Sequence, residues 1–223
     1  MDAVFLTNTA DASFHEMTLR AISSLRDSAE GVDINVTVVE SNRDGESLGF
    51  SYDGCRVIVP HEPFNYNRFM SIGLGAGSDH VVIMCNNDVE FLPRCVNNLL
   101  GAMVAYGLKS VSPYEPNWHR RYYGDTAPPQ PVIGYDVENH VCGWCICAER
   151  ALLERSGVLD QEFEFWYQDN NYAMKLKSMG VAHALVPQAL ALHRFSRSHE
   201  LLGDKKHAMT HGQSEVLARK WSS

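Results

Sequence analysis

The sequence alternates short apolar segments with amphipathic segments along most of its 223 residues, and this alternation constrains the fold more than any other feature. Apolar runs of about four to eight residues between turn residues indicate buried strands, whereas apolar residues spaced about three or four positions apart indicate helices. Strands joined by such helices lie parallel in one sheet. The sequence therefore predicts an α/β domain, with a mostly parallel central sheet flanked by helices. The predicted strands are 3–7, 34–39, 55–59, 80–85, 143–148 and 181–186, and the predicted helices are 12–28, 65–76, 93–106, 149–156 and 169–179.

Length and composition narrow the class of protein. A chain of this length forms one large α/β domain, or one domain with an appendage. The net charge of −8 argues against a surface built mainly to bind nucleic acid. No apolar run approaches about 20 residues, and the N-terminus does not resemble a signal peptide, so we expect no transmembrane segment. Most of the six cysteines lie in apolar segments, as in reducing compartments, and we expect a cytoplasmic protein.

The segment Asn86-Asn87-Asp88 directly follows the predicted strand 80–85 and is the first candidate site. In open α/β sheets, ligands bind beyond the carboxyl ends of the strands. A carboxylate at that position can hold a hard divalent cation, and the cation can bridge a diphosphate. The alternative is a plain turn, because Asn and Asp are common turn residues.

A second candidate site follows the aromatic run 163–167, where Asp169 stands at the start of a predicted helix. The carboxylate could simply cap the helix. The helix dipole would also hold it ionised, which suits a general base. Further along the chain, the strand 181–186 is expected to end at Pro187, and His193 follows a last short apolar run. A lone histidine there is more often structural, but together with Asp88 it becomes a candidate metal ligand.

Residues 113–131 interrupt the strand–helix alternation. From Tyr114 to Pro131 the chain holds four prolines and the aromatic and basic cluster 118–123. An insertion of this kind is usually a functional loop or lid, and its rings and arginines could stack on sugars or bases. The alternative is a loop that its aromatic residues pin onto the core. On the first interpretation, 113–131 and 194–210 are mobile until a donor binds.

In their order along the chain, these features resemble the family 2 glycosyltransferases with the GT-A fold, and in particular their rhamnosyltransferase-like branch. Four blocks between about residue 3 and residue 199 carry the resemblance, and each is weak by itself. They are Pro63-Phe64-Asn65-Tyr66-Asn67-Arg68 with Ile72-Gly73, Asn86-Asn87-Asp88-Val89-Glu90, Val141-Cys142-Gly143-Trp144 with Gly157-Val158-Leu159-Asp160, and Asp169 with His193, Ser196 and Ser198.

The sequence departs from the family pattern at two places. The family's Glu-Asp-x-Asp element is Gln168-Asp169-Asn170-Asn171 here, which keeps the expected base and loses two neighbouring acids. With fewer like charges nearby, Asp169 should ionise more easily. The acidic motif that would recognise the nucleotide base is reduced to the segment 40–44, so the identity of that base stays open.

The resemblance implies a GT-A, Rossmann-like domain over residues 1–199. It would consist of a nucleotide-sugar-binding half, 1–112, and an acceptor and catalytic half, 132–199. Residues 113–131 would be a loop insertion and 200–223 a C-terminal tail. The implied enzyme is a metal-dependent, inverting hexosyl- or deoxyhexosyltransferase that moves a sugar from a UDP- or dTDP-linked donor to a glycan hydroxyl.

The resemblance also assigns roles to individual residues. Asp169 would be the catalytic base, and Asp88 and His193 would hold Mn²⁺ or Mg²⁺ against the diphosphate. The expected donor-binding residues are Thr7, Asn8, Glu40, Asn67, Asn86, Asn87, Arg194 and Arg197. The expected acceptor-binding residues are Gly143, Trp144, Trp166 and Tyr167.

Two alternatives remain open at the level of the sequence. The same chemistry could act on a modified nucleic-acid base or a protein. The chain could also be a non-catalytic protein that binds nucleotide sugars, although the presence of Asp88, Asp169 and His193 together argues against this.

Overall fold

The structure, a computed structural model, describes residues 1–43, 49–155, 157–194 and 206–222. Its strands are β1 (Asp2–Thr7), β2 (Asn35–Glu40), β3 (Arg56–Ile58), β4 (Val81–Asn86), β5 (Val89–Phe91), β6 (Ser110–Tyr114), β7 (Val132–Ile133), β8 (Cys145–Glu149) and β9 (His183–His193). Its helices are α1 (Ala12–Asp27), α2 (Tyr66–Gly75), α3 (Cys95–Tyr106), α4 (Pro116–Tyr123), α5 (Arg150–Leu153), α6 (Gln168–Ser178), α7 (Lys206–Met209) and α8 (Gln213–Trp221).

Every strand and helix predicted from the sequence corresponds to one of these elements. The strands form one sheet in the order β3-β2-β1-β4-β8-β6-β9-β5, and β7 pairs with β9. From β3 to β9 along this order, one strand, β8, runs antiparallel to both of its neighbours. The short strands β5 and β7 also pair antiparallel with β9. The prediction of an α/β fold with a mostly parallel sheet is therefore confirmed.

The reversed strand β8 decides which residues meet at one edge of the sheet. The carboxyl ends of β1, β2, β4 and β6 lie at this edge because these strands are parallel. Since β8 runs the other way, its first residue, Cys145, pairs with Cys85 near the end of β4. The preceding residues, Gly143 and Trp144, therefore reach the same edge as Asn86.

Both faces of the sheet are buried, as expected for strands that alternate with helices along the chain. Successive side chains of one strand therefore point into two different cores. Along β1, Ala3 and Phe5 belong to the core on the side of α1 and α3, whereas Val4 and Leu6 belong to the core on the side of α2 and α6. Helix α2 packs very closely on β1, because a Cβ at Gly73 would overlap the side chain of Val4. This double-sided packing explains why the strands read as almost continuous apolar runs.

The expectation that Pro187 ends its strand is wrong, since β9 continues through it to His193. The pairing register between β6 and β9 shifts at Pro113 and Tyr114, opposite this part of β9. Proline cannot donate a ladder hydrogen bond, so it is tolerated in a strand at an irregularity of this kind. The continued strand then pairs with β5 and brings His193 opposite Val89.

The segment 113–131 is more regular than an insertion loop. It contains the end of β6 and the whole of α4, which begins at the N-cap Glu115 with Pro116 in its first turn. Pro93, at which the predicted helix 93–106 would begin, stands just before α3, whose N-cap is Arg94. Sequence periodicity missed α4 because an eight-residue helix spans only about two turns.

The described part of the C-terminal tail is mostly helical and packs onto α6 and the segment before it. The backbone N–H of Trp166 donates to the carbonyl of Met209, and the indole N–H of Trp221 donates to Asn171. Lys220 pairs with the carboxylates of Asp160 and Glu162. Among the described residues, no helix is long and apolar enough to cross a membrane.

Candidate active site

A pocket of about 290 Å³ opens at the sheet edge where β4 ends and β8 begins. Its walls come from both halves of the chain. Among the residues that line it are Asn86, Gly143, Trp144, Phe165, Asp169 and His193. The candidate base and one candidate metal ligand, which the sequence separates by 24 positions, therefore share one cavity.

Asp88 and His193 meet at one side of this cavity. The Nε2 atom of His193 lies 3.3 Å from Oδ1 of Asp88, and both side chains are largely buried. The imidazole ring stacks on the indole of Trp144, with centroids 5.1 Å apart and planes inclined by 13°. The backbone N–H of Arg194 also donates to the carbonyl of Asp88. Ring stacking and backbone pairing thus hold the imidazole against the carboxylate.

The donor set formed by this pair fits a divalent cation. Carboxylate oxygen and imidazole nitrogen both bind Mn²⁺, and two adjacent ligands of an octahedral ion at about 2.1 Å lie about 3 Å apart. The described residues contain no cluster of three His, Cys, Asp or Glu side chains that could hold a metal ion. A cation at this position would therefore take its remaining ligands from water and substrate oxygens, as Mg²⁺ commonly does beside phosphates.

Asp169 lies in the first turn of α6, one residue after the start of the helix. It does not cap α6, because the N-cap is Tyr167, a residue in the left-handed conformation with φ 61° and no side-chain capping bond. One carboxylate oxygen of Asp169 accepts the backbone N–H of Asn170 at 2.9 Å. The interpretation of Asp169 as the N-cap residue is therefore wrong. Its other carboxylate oxygen, Oδ2, lies against Gly143.

Burial raises the pKa of Asp169 to about 6, against an ordinary value of 3.8. Backbone hydrogen bonds act in the opposite direction and lower the pKa, and the charge of Glu138 raises it further. Asp169 therefore ionises less easily than helix and sequence context led us to expect, because desolvation outweighs these effects, but the expectation of an ionised group at neutral pH agrees with a pKa of about 6. A carboxylate with a pKa near 6 is a stronger base than an ordinary aspartate and is still mostly ionised at neutral pH.

Gly143 is required for the position of Asp169. A Cβ at residue 143 would lie 2.7 Å from Oδ2 of Asp169, closer than real side chains approach. The chain between β6 and β8 thus passes directly against the carboxylate, and a glycine is needed there for space. This contact gives Gly143 a role in shaping the site.

Tyr66 connects the two walls of the pocket. Its hydroxyl lies 3.1 Å from Oδ1 of Asn86 and 3.3 Å from the carbonyl oxygen of Gly143. Burial raises the pKa of this phenol, so it stays a hydrogen-bond donor over the physiological range. The sequence placed Tyr66 in a family-like block, but nothing in its spacing indicated that it reaches the site.

Several of the side chains expected to bind the donor form a buried network outside this pocket. The amide of Asn87 donates to the hydroxyls of Thr7 and Thr18, both at 3.0 Å. Glu40 accepts the backbone N–H groups of Thr9 and Asn42. These hydrogen bonds join the carboxyl ends of β1, β2 and β4, so the side chains fix the shape of the strand ends.

The other expected donor-binding residues lie in different surroundings. Asn8 is half-buried after β1, and Asn67 is buried and donates to the carbonyl of Asp160 at 2.8 Å. The guanidinium of Arg194 pairs with Glu90. Of the seven that lie within the described residues, Asn86 is the one that lines the pocket. Arg197 lies outside the described residues, as do Ser196, Ser198 and most of the 194–210 segment.

Three of the four expected acceptor-binding residues, Gly143, Trp144 and Trp166, line the pocket, and Tyr167 does not. Trp118, Glu138, Phe165 and Gln168 line it as well, and of these the sequence had indicated Trp118, as part of the cluster 118–123 expected to stack on sugars. Gln168 was visible as the residue beside Asp169, and Phe165 lies in the aromatic run. Glu138 carried no sequence signal, because its position depends on a turn that folds back onto α4.

No protein-family model matches the chain, and no curated protein matches it in sequence. Its structure is similar to that of a mannosyltransferase, PcManGT from Pyrobaculum calidifontis, in complex with GDP-Man and Mn²⁺. The TM-score is 0.62 at 16% sequence identity, over 90% of this chain and 59% of that one. The chain thus spans about three-fifths of the length of that protein. The similarity shows a shared Rossmann-like fold, and this agrees with the α/β architecture predicted from the sequence.

Proposed function

We propose that the chain is a metal-dependent, inverting glycosyltransferase. It would transfer a hexosyl or deoxyhexosyl group from a nucleotide-diphosphate sugar to a hydroxyl group of a glycan acceptor. The observation that carries the proposal is the pocket lined by the base-like Asp169 and by His193, whose imidazole lies against the buried carboxylate of Asp88, on a fold shared with a glycosyltransferase. The wider resemblance to the family 2, rhamnosyltransferase-like enzymes is part of this proposal.

In the proposed reaction, Asp169 accepts the proton of the acceptor hydroxyl. The acceptor oxygen then forms a bond to the anomeric carbon while the bond from that carbon to the diphosphate oxygen breaks. The pKa of about 6 supports this role, since the carboxylate is ionised at neutral pH and basic enough to draw the proton as the bond forms. Attack from the side opposite the diphosphate inverts the configuration at the anomeric carbon.

Asp88 and His193 are the residues that would hold Mn²⁺ or Mg²⁺, and a cation there supplies positive charge to the leaving diphosphate. Trp144 supports the pair by stacking on the imidazole, which limits rotation of the ring. Tyr66 keeps the side chain of Asn86 fixed beside this position. These contacts pre-organise the leaving-group side of the pocket before substrate binds.

The nucleotide and the compartment are the finer parts of the proposal. We propose a UDP- or dTDP-linked donor, and GDP-linked donors belong in the same test because the similar mannosyltransferase was solved with GDP-Man. All six cysteines are free thiols and five of them are buried, which is typical of proteins from reducing compartments and supports a cytoplasmic enzyme.

A panel of UDP-, dTDP- and GDP-sugars tests the proposal. Each would be incubated with the protein and Mn²⁺ or with a chelator, and both thermal stabilisation and release of nucleoside diphosphate would be measured. We expect at least one donor to stabilise the protein and to be slowly hydrolysed, in both cases only with the metal. Stabilisation without hydrolysis or transfer would favour a non-catalytic nucleotide-sugar-binding protein.

Matched variants make this test specific to the site. Asp88→Asn should abolish the effect of the metal, whereas Asp27→Asn, the same change at an exposed position on α1, should leave it unchanged. If no donor of the panel stabilises the protein under any condition, or if the two variants behave alike, the proposed function is wrong.

A further inference from the structure

One wall of the pocket is formed by Trp118 and Glu138. Neither residue is needed to hold the donor or to accept the proton in the proposed reaction. Trp118 lies in α4, and Glu138 lies in the turn 136–141 between β7 and β8. This wall is therefore available for recognition of the acceptor.

Buried contacts fix α4 in place. The side chain of Glu115 accepts the backbone N–H of Trp118 at the start of the helix. His119 is fully buried, stacks on Tyr114 with centroids 4.8 Å apart, and lies 3.7 Å from the sulfur of Cys142. His119, the residue next to Trp118, thus anchors α4 and holds Trp118 in place.

The turn that carries Glu138 is held in an unusual backbone conformation. Glu138 has φ 68°, a left-handed conformation that costs about 1 kcal/mol or more for a residue other than glycine. Its N–H donates to the carbonyl of Val141 at 3.0 Å, and its carbonyl accepts the indole N–H of Trp118 at 2.9 Å. The indole therefore helps to hold the turn, and the two residues form one unit.

The charge of the pocket lining is acidic. Glu138 and Asp169 both line the cavity, and no lysine or arginine is among its lining residues in the described part of the chain. Arg121 is held over the ring of Trp118, with its guanidinium carbon 3.4 Å from the ring centroid, and is not among the lining residues. The influence of Glu138 reaches Asp169, because it adds to burial in raising the pKa of that carboxyl.

We propose that Trp118 and Glu138 select the acceptor, and that they select an uncharged sugar ring over one that carries a phosphate. The part of the indole that Arg121 leaves uncovered offers apolar surface to the sugar ring, and the carboxylate accepts hydrogen bonds from the hydroxyls of the sugar. The same carboxylate repels an anionic group, which disfavours sugar phosphates, lipid-linked diphosphates and nucleic acid. This proposal rests on the proposed function and names the acceptor class for the same site.

Saturation-transfer NMR on the full chain tests the selectivity. The probes are methyl hexopyranosides and the corresponding hexose 1-phosphates, in the presence of Mg²⁺ and the nucleoside diphosphate that stabilises the protein. Mg²⁺ is used because it is diamagnetic. We expect at least one methyl glycoside to bind, and its 1-phosphate to bind about ten-fold or more weakly, as a charge repulsion in a partly enclosed site implies.

Two pairs of variants identify the residues responsible. Glu138→Gln should bring the hexose 1-phosphate to within about three-fold of the methyl glycoside. The control Asp136→Asn removes the same charge from the same turn, at a side chain that is 80% exposed and outside the pocket lining, and should leave the selectivity unchanged. Trp118→Ala should weaken the methyl glycoside about ten-fold, and Trp118→Phe should retain part of the binding.

Nucleotide binding separates the possible failures. A variant that is still stabilised by nucleotide and metal is folded at the donor side, so a loss of glycoside binding in it reports on the acceptor wall. The proposal is overturned if wild-type protein binds hexose 1-phosphates as well as methyl glycosides, if it binds neither while nucleotide still stabilises it, or if Glu138→Gln behaves like Asp136→Asn. Absence of any nucleotide effect would instead overturn the proposed function.

Discussion

Replacing Asp169 by asparagine should destroy activity and, at the same time, stabilise the protein at neutral pH. The substitution keeps the size of the side chain, and an amide oxygen can still accept the N–H of Asn170. It removes a carboxylate whose ionised form is unfavourable in the pocket, as its raised pKa shows. Removal of an ordinary catalytic residue on the surface would leave stability nearly unchanged.

The sign and size of the stability effect follow from proton linkage. In the unfolded chain Asp169 loses its proton near pH 3.8, whereas in the folded protein it keeps the proton up to about pH 6. The free energy of unfolding of the wild type therefore falls between these pH values, and the variant has no such loss. A shift of about two pH units corresponds to about 3 kcal/mol. Because solvent reaches part of the side chain, we expect about 1–2 kcal/mol above pH 7.

Urea denaturation of both proteins, over a series from about pH 4.5 to about pH 8, measures this difference. The variant should be more stable at the high end, and the difference should shrink toward the low end. Transfer to a confirmed acceptor should fall by about 10²-fold or more, while donor binding stays within about two-fold. A variant that is equally or less stable at about pH 8 refutes the burial argument, and near wild-type turnover refutes the role as base.

Four other predictions concern the same pocket. The kcat/KM of transfer should rise with pH through about pH 6, because Asp169 must be ionised to accept a proton, and a profile that is flat between about pH 5 and pH 7 would contradict this. Gly143→Ala should lower the rate of transfer by about ten-fold or more and leave nucleotide affinity, measured by calorimetry, unchanged, since the new Cβ displaces Asp169. An equal loss of transfer and of affinity would mean that the pocket as a whole is distorted. Chelation of metal should abolish binding of nucleoside diphosphate but leave nucleoside binding unchanged, and His193→Ala should have the same effect as the chelator. If the diphosphate still binds in the presence of the chelator, the assignment of Asp88 and His193 as metal ligands is wrong. In hydrogen exchange without ligand, α4 should be protected by its buried anchor His119, whereas 124–131 should exchange quickly. Fast exchange throughout α4 would instead favour the hypothesis that the whole segment 113–131 forms a lid.

The sequence predicted the layers of this fold because periodicity reports burial directly. The alternation of Val4 and Leu6 with Ala3 and Phe5 follows from a strand that is covered on both faces. Strand direction leaves no such trace, since an antiparallel β8 has the same apolar residues as a parallel one. The predicted end of a strand at Pro187 was wrong for a related reason. Whether a proline ends a strand depends on the register of the neighbouring strand.

The candidate site divides in the same way between what local pattern shows and what topology adds. Polar residues at strand ends, such as Asp88 and His193, could be recognised because apolar runs lead directly into them. The same rule also selected Thr7 and Asn87, whose side chains turn out to bind each other across the strand ends. Position along the chain identifies which residues reach the edge of the sheet, but only the packing decides whether each side chain faces the pocket or the interior.

The properties of Asp169 come from long-range packing that no local motif encodes. Helix α6 and its acidic first turn suggested a readily ionised carboxylate, yet the chain before β8 passes against this group at Gly143 and removes part of the water around it. That approach exists because β8 is antiparallel and begins at the carboxyl edge of the parallel strands. The reversal of one strand thus brings Trp144 to the imidazole of His193 and Gly143 to the candidate base on α6, and the desolvation of that base raises the basicity that the proposed proton transfer requires.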